Sequence, residues 1–250
     1  MDQGTKEWLD WRRQGIGASE SAALLGVCPY KTPLMLWKEK VAGEVEDTSA
    51  ETNVFAKGHA IEAQMRGAYE FETGLEFPPC LMEYPDWPII RASLDGWNSD
   101  TRKGIEIKFV GADKMQLAIP VHHITQLQHQ MLVANVDEWT YIRSTDGVHY
   151  NAVKVQADKK MQMDIVSAGM KFWEQVTSKQ QPEYTERDWF PDERPELVAA
   201  IDLMAKATTT KVRNAHRDVV LALCARKRTV CGGVKVSRDP DRVTFPKEVK

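Results

Sequence analysis

Two short segments hold the residue types best suited to chemistry, Ala92-Ser93-Leu94-Asp95-Gly96 and Gly104-Ile105-Glu106-Ile107-Lys108-Phe109. Side chains alternate along a strand, so Glu106 and Lys108 share one face while Ile105, Ile107 and Phe109 share the other. Antiparallel pairing across the loop from Gly96 to Lys103 would bring Asp95 beside Glu106, and two carboxylates would converge next to an ammonium group. Clustered, partly buried carboxylates repel one another; a divalent cation or a shared proton relieves the repulsion. Hard oxygen ligands favour magnesium or manganese. A lysine two residues on can orient or deprotonate an activated water, or offset charge growing on a phosphate under attack. The pattern is the machinery of phosphodiester hydrolysis. The plainer alternative is a surface hairpin with an Asp–Lys or Glu–Lys ion pair, and so short a pattern allows both.

The surrounding chain predicts the elements that would position these residues. Thr5 to Gln14 has the spacing of a short amphipathic helix, and Ser19 supplies a hydroxyl N-cap for a second helix that stops at Gly26. Thr32-Pro33 opens a third, ending near Gly43, with proline at its first position. A longer helix from about Glu51 to Thr73 carries Phe55, Ile61, Met65 and Tyr69 as an apolar stripe. The period then shortens. Leu81 to Tyr84, Ile89 to Asp95 and Gly104 to Phe109 predict strands, followed by a helix from Val121 to Ala134. Trp139 to Ser144 and Val148 to Val155 predict two more strands, joined by a hairpin turn at Asp146-Gly147. A helix from Asp158 to Thr177 closes this body. Pro182 to Pro195 is a proline-marked linker, and one long helix is expected from Glu196 to Arg228.

Around the two segments lie further stretches that resemble the lambda exonuclease branch of the PD-(D/E)xK nuclease superfamily, the YqaJ-type viral recombinase domain. Trp8-x3-Arg12 with Gly15-Ile16-Gly17-Ala18-Ser19-Glu20 is similar to that family's opening motif, and Gly58-x3-Glu62 to its helical acidic position. Ser93-Leu94-Asp95-Gly96 and Glu106-Ile107-Lys108 are similar to its catalytic core, and Ile124 to Met131 resembles the helix carrying its Gln-x-Gln motif. The resemblance implies an α/β fold, with a central mixed β-sheet flanked by helices and the catalytic hairpin at its centre. It implies that Asp95, Glu106 and the Ile107 carbonyl hold Mg2+, with Mn2+ able to substitute. Lys108 becomes the water-activating or charge-stabilising group. Glu62 becomes an additional carboxylate, its plain alternative being an exposed i, i+4 pair with Arg66. Gln126 helps position the nucleophile or phosphate. Arg12, Ser19 and Ser93 fall where the family grips a terminal 5′-phosphate. Lys114 stands where relatives place an arginine, and Leu94 where the superfamily has proline.

The activity implied is 5′-to-3′ digestion of linear double-stranded DNA to mononucleotides, with a 3′ overhang left for a single-strand annealing protein in phage recombination. The implied assembly is a homotrimeric ring. Two rivals share these residues: an endonuclease on the same core, and a non-catalytic DNA-binding module of the same fold.

Composition limits the wider setting. Over 250 residues, 42% hydrophobic and 28% charged residues with eight Trp belong to a globular chain. The expected division is an exonuclease domain over residues 1–181 and a linker with a basic helical extension over 182–250. From Ala205 onward there are 12 Lys+Arg against 4 Asp+Glu, whereas residues 1–204 hold 21 against 32. Such a tail suits a nucleic acid or an acidic partner, or is simply a solvated helix face. Four scattered cysteines make no Cys-x2-Cys pair, and His122-His123 lacks an HExxH frame, so zinc is not expected and the histidines read as ordinary imidazoles. No run approaches the ~18 apolar residues of a membrane span, and the first residues lack the order of a signal peptide. A soluble, cytoplasmic protein is expected, and the family resemblance implies a phage or prophage origin.

Overall fold

In the computed structural model, residues 5–42, 52–115 and 117–246 are described, residues 52–60 by their backbone alone. They form two compact units, residues 1–181 and 182–250. The expectations at Gly43, Glu51 and the Phe55 side chain lie outside the described residues.

The first unit opens with helix α1 (Lys6–Arg13), capped by the Thr5 hydroxyl, which accepts the Trp8 N–H. The two-residue strand β1 (Ile16–Gly17) follows. The helix expected from Ser19 begins differently: Ala18–Glu20 is a 3-10 turn and helix α2 spans Ser21–Leu24. Ser19 is not the cap, because the Glu20 carboxylate accepts the Gly17 N–H at 2.8 Å and the turn is capped two residues earlier, at Gly17. Helix α3 (Pro33–Ala42) starts on its proline, and α4 spans Thr52–Thr73.

Strands β2 (Cys80–Tyr84) and β3 (Trp87–Leu94) pair antiparallel, and β1 adds to β3 in parallel through Ile16↔Ile90 and Gly17↔Arg91. The chain bends at Asp95 and resumes as β4 (Gly96–Asn98), which belongs to a different sheet. There β4 pairs antiparallel with β5 (Lys103–Phe109) through Gly96↔Ile105. The expected hairpin is therefore shorter than the sequence suggests: β3 pairs with β1 and β2, and only three residues after the bend meet β5. Nor is the hairpin central, since the sheet order is β4-β5-β6-β7. Helix α5 (Val121–Ala134) crosses from β5 to β6 (Glu138–Ser144), which lies parallel to β5, and β7 (Tyr150–Gln156) returns antiparallel. Helix α6 (Lys159–Thr177) completes the unit. The result is a mixed α/β architecture with mixed sheets flanked by helices, as expected.

Two apolar clusters clamp the β5–β6 layer from opposite sides. Ile105, Ile107 and Ile142 pack with Met65 and Phe77 on the α4 side, joined by Ile61 and Tyr69 of the predicted stripe. Trp139 and Tyr141 pack with Leu127 and Met131 of α5 on the other. Close packing explains Gly104, where an added Cβ would lie 2.0 Å from the Trp139 ring.

The second unit corrects the expectation of one long helix from Glu196 to Arg228. Helices α7 (Pro195–Lys206) and α8 (Thr210–Leu223) are separated by Ala207-Thr208-Thr209. The Thr209 hydroxyl accepts the Val212 N–H and caps α8, a competing use of a hydroxyl side chain that favours a new start over a continued helix. Strands follow where none was expected: β9 (Arg228–Cys231), β10 (Val234–Arg238) and β11 (Asp241–Thr244), with β8 (Phe190–Pro191) parallel to β9. Gly232 and Gly233, with φ of 51° and 79°, make the turn between β9 and β10, a conformation that favours glycine at both places. Leu197, Ile201, Val220, Leu221, Val234 and Val236 form this unit's own core.

His129 ties three elements of the first unit together. Its Nε2 donates to the Arg91 carbonyl on β3 at 3.0 Å, so its Nδ1 accepts the Ser21 hydroxyl of α2. Burial pushes its pKa down to about 4 from an ordinary 6.5. The unfolded chain takes up a proton near pH 6.5 that the folded chain refuses until about pH 4. This contribution to stability is therefore present above pH 6.5 and lost as pH falls toward 4, and every tenfold difference in proton affinity between the folded and unfolded chain amounts to roughly 1.4 kcal/mol. Urea unfolding midpoints should decline over that window, and His129→Gln should show a shallower decline; an unaltered pH dependence would refute the assignment.

Candidate active site

The site forms where β3 gives way to β4. Pairing from β4 ends at Gly96↔Ile105, and the next open edge group of β5, the Ile107 N–H, is taken by the Asp95 carboxylate at 2.8 Å. The bend thus places Asp95 across from Glu106, as the sequence pairing required. Arg66 of α4 donates to the Asp95 carbonyl at 3.1 Å and secures the bend from the other side.

Glu106 is only 1% exposed. Its Oε1 accepts from the Lys108 Nζ at 2.5 Å and the Gln126 Nε2 at 2.6 Å, and its Oε2 from the Gln130 Nε2 at 2.6 Å. Gln126 and Gln130 are one helical turn apart on α5 and so point the same way. Gln130 was not among the residues expected from the sequence, although its spacing from Gln126 is the available signal. The alternate residue Gln128 points elsewhere, donating to the Gln156 carbonyl and accepting the Asp158 N–H. An i, i+2 pair does not share a helix face.

Burial pushes the Asp95 carboxyl well above its ordinary range, reinforced by Glu106 and Glu62 and opposed by Lys108 and the Ile107 N–H. Lys108 is buried too, yet Glu106 and Asp95 more than offset that and hold its ammonium form. Glu62 pairs with Arg66 at 3.5 Å. The i, i+4 pair with Arg66 forms but is largely buried rather than exposed, and Glu62 is close enough for its charge to act on Asp95. Near Lys108, His123 shares a hydrogen bond with the Tyr141 hydroxyl at 2.9 Å. Its pKa is lowered to about 3 by burial and then by the Lys108 charge, which keeps the imidazole neutral. The sequence reading treated this histidine as ordinary; only the fold brings it to the site.

The donor set fits a hard divalent cation. Asp95 carries the electrostatic strain of carboxylates held close together, and a cation would relieve it. Among the described residues no three His, Cys, Asp and Glu side chains form a metal cage. Magnesium does not require one, because it commonly keeps several waters and takes one or two carboxylates.

Of the residues expected at a terminal phosphate, Arg12 on α1, Ser19 in the 18–20 turn and Ser93 on β3 belong to elements that neighbour one another through β1. The parallel register of β1 carries the 18–20 turn onto β3, on which Ser93 is found. Ser19 is exposed. The Ser93 hydroxyl is buried without a hydrogen-bond partner, which makes it an unused donor. Arg12 lies 4.8 Å over the Trp8 ring and donates to the Glu20 Oε1 at 3.1 Å. Glu20 also binds Lys40 at 2.8 Å, and despite burial these cations hold its carboxyl below the usual range. Lys114 is placed by a separate 3-10 turn, Ala112–Lys114, where it is exposed and its charge acts on His123.

Gln130→Leu would leave the Glu106 Oε2 buried without a donor, at a cost of about 1–3 kcal/mol. Urea denaturation should show that loss, whereas an equal change at Gln128 should loosen the β7–α6 junction instead. Unchanged stability for Gln130→Leu would mean the bond to Glu106 does not form.

The YqaJ-like viral recombinase domain matches residues 7–137, which takes in α1, both carboxylates, Lys108 and α5. Protein YqaJ of Bacillus subtilis strain 168, itself uncharacterised, is 28% identical over 131 residues, 50% of this chain and 41% of that protein. The chain therefore spans less than half the length of this curated relative. Among solved structures, the alkaline exonuclease LHK-Exo of Laribacter hongkongensis superposes with a TM-score of 0.57 at 22% identity, covering 70% of this chain and 94% of that one. Its complex with dAMP gives a TM-score of 0.58 over the same shares and at the same identity. These likenesses establish the fold, and with the match over more than half its length the chain belongs to the YqaJ-like viral recombinase family.

Proposed function

We propose that the chain is a magnesium-dependent nuclease that digests linear double-stranded DNA from 5′-phosphorylated ends in the 5′-to-3′ direction. It releases mononucleotides and leaves a 3′ overhang for a single-strand annealing protein in phage recombination. The observation that carries this reading is the convergence of Asp95, Glu106 and Lys108 at the bend between β3 and β4. The LHK-Exo name and its dAMP complex, a nuclease and a mononucleotide, support it from a structural relative. Residues 1–181 form the catalytic unit in this reading. The cytoplasmic setting and a ring of three subunits are inherited from the family resemblance.

Asp95, Glu106 and the Ile107 carbonyl would hold Mg2+ or Mn2+. When bound, the cation would polarise the scissile phosphate and acidify an attacking water. Lys108, held as an ammonium, cannot take a proton from water and can only donate hydrogen bonds and charge; of its two expected roles, offsetting charge on the phosphate is the one its surroundings favour. Gln126 and Gln130 fix the Glu106 carboxylate, and Gln126, on the oxygen shared with Lys108, is placed to orient a phosphate or water beside it. Glu62 adds negative charge that strengthens the demand for a cation. Arg12, Ser19, Ser93 and Lys114 supply a guanidinium, two hydroxyls and an ammonium for the terminal phosphate.

Asp95→Ala, Glu106→Ala and Lys108→Ala should each reduce cleavage at least ~10²-fold while DNA binding survives. Titration calorimetry should show weakened magnesium binding for the two carboxylate variants. Substantial turnover by Asp95→Ala, or undiminished magnesium affinity in both, would overturn the assignment. Circular duplex DNA should resist digestion; its cleavage would point to an endonuclease.

Arg12→Ala should slow digestion of 5′-phosphorylated ends more than 5′-hydroxyl ends, since a charge-assisted hydrogen bond contributes about 1.5–3 kcal/mol. Equal rates on both ends for the wild-type protein would remove the proposed phosphate site.

A further inference from the structure

The sheet of the second unit has one covered and one open face. Thr229, Cys231, Val234 and Val236 are buried on the side where α8 packs against β10 and β11. Strand alternation sends the intervening residues the other way. Arg228, Ser237 and Arg242 stand directly across three adjacent strands, and Lys235 faces Thr244 in the neighbouring row. With strands ~4.8 Å apart and a two-residue step of ~6.7 Å, three cations lie within roughly 10 Å of one another. Trp189 is on the same side, its ring 5.5 Å from the Arg228 guanidinium and 5.2 Å from the Lys235 ammonium. None of the outward residues of β9, β10 or β11 is a carboxylate. Glu186 pairs with Lys227, Asp188 is buried against Thr185, and Asp241, paired across from Arg238, alternates to the other side of β11 from Arg242.

Like charges at this spacing repel, and isolated surface cations gain little by being gathered. The arrangement gains where a polyanion runs across it. The open face measures about three strands by five residues, which matches a few nucleotides of one chain, and an indole beside cations suits bases as well as phosphates. We infer that the outward face of the β9–β10–β11 sheet, with Arg228, Lys235, Arg242 and Trp189, binds single-stranded DNA. The choice of DNA as the strand rests on the nuclease reading, which also makes a single strand the product; the charged sheet face does not depend on it.

The test uses the full chain with magnesium chelated, so that no DNA is cut, and follows the anisotropy of a labelled single-stranded oligonucleotide against salt. Lys235→Gln with Arg242→Gln changes two exposed side chains, and circular dichroism melting verifies that the unit stays folded. Each lost phosphate contact should lower the slope of log affinity against log salt by about 0.7, so the pair should lower it by roughly 1.4 and weaken binding several-fold. Adding Arg228→Gln, which also loses its bond to the Arg187 carbonyl, should take the change to about 2. Unchanged slope and affinity in the double variant would overturn the inference. So would an equal or larger loss on a duplex of the same length, or displacement of the strand by polyglutamate as readily as by unlabelled strand, which would point to an acidic protein partner. Because binding is read without cleavage, a failure of the nuclease assignment at Asp95 leaves this result intact.

Discussion

Satisfying a carboxylate almost shut off from water constrains the first unit more than any other interaction. Glu106 reaches that state because every direction of approach supplies a donor: Lys108 from its own strand and two glutamines from α5. Each donor presupposes a larger element in register. α5 must cross over β5 with its 126/130 face inward, and the parallel β5–β6 pairing sets that crossover. On the far side of the layer, Met65 of α4 packs against Ile105, Ile107 and Ile142. A buried ion with incomplete partners is far more costly than an apolar residue of the same size. Here Lys108, Gln126 and Gln130 make the set of partners complete.

A second buried carboxylate anchors the chain's beginning. Glu20 closes the turn at Gly17 and takes Arg12 and Lys40 as partners, while Arg91 on β3 bonds the Trp11 carbonyl and lies over its ring. The network fixes α1 and the 18–20 turn against the strand that leads into Asp95. The two centres therefore share β3 as a common rail. Arg91 belongs to the first and Asp95, at the bend that ends the strand, to the second, while along β3 Arg91 and Ser93 alternate with the buried Ile90, Ala92 and Leu94. Alternation in one strand separates its polar side chains from its apolar ones without any loop having to do it.

The second unit works by different means. Its helices bury one face of a small sheet and leave the other to Arg228, Lys235 and Arg242, with charge gathered by strand pairing instead of by the overall balance of the chain.

Local pattern in the sequence determined the elements whose chemistry is their own. The alternation around Glu106, the apolar stripe at Ile61, Met65 and Tyr69, the proline start of α3, the Asp146-Gly147 turn and the span of α5 all follow from spacing and turn chemistry, and so does the facing of Asp95 and Glu106. The Gly232-Gly233 pair is an equally local turn signal, beyond the end of the helix expected up to Arg228. Other features depended on partners far away in the chain. No local pattern says that β3 leaves one sheet and β4 joins another at Asp95, that Gln130 and not Gln128 faces Glu106, or that His123 lies against Tyr141 beside Lys108. These depend on which groups are left unpaired once the elements pack. A buried N–H, carboxylate or imidazole takes the nearest donor or acceptor that excludes water, and only the tertiary structure decides which one that is.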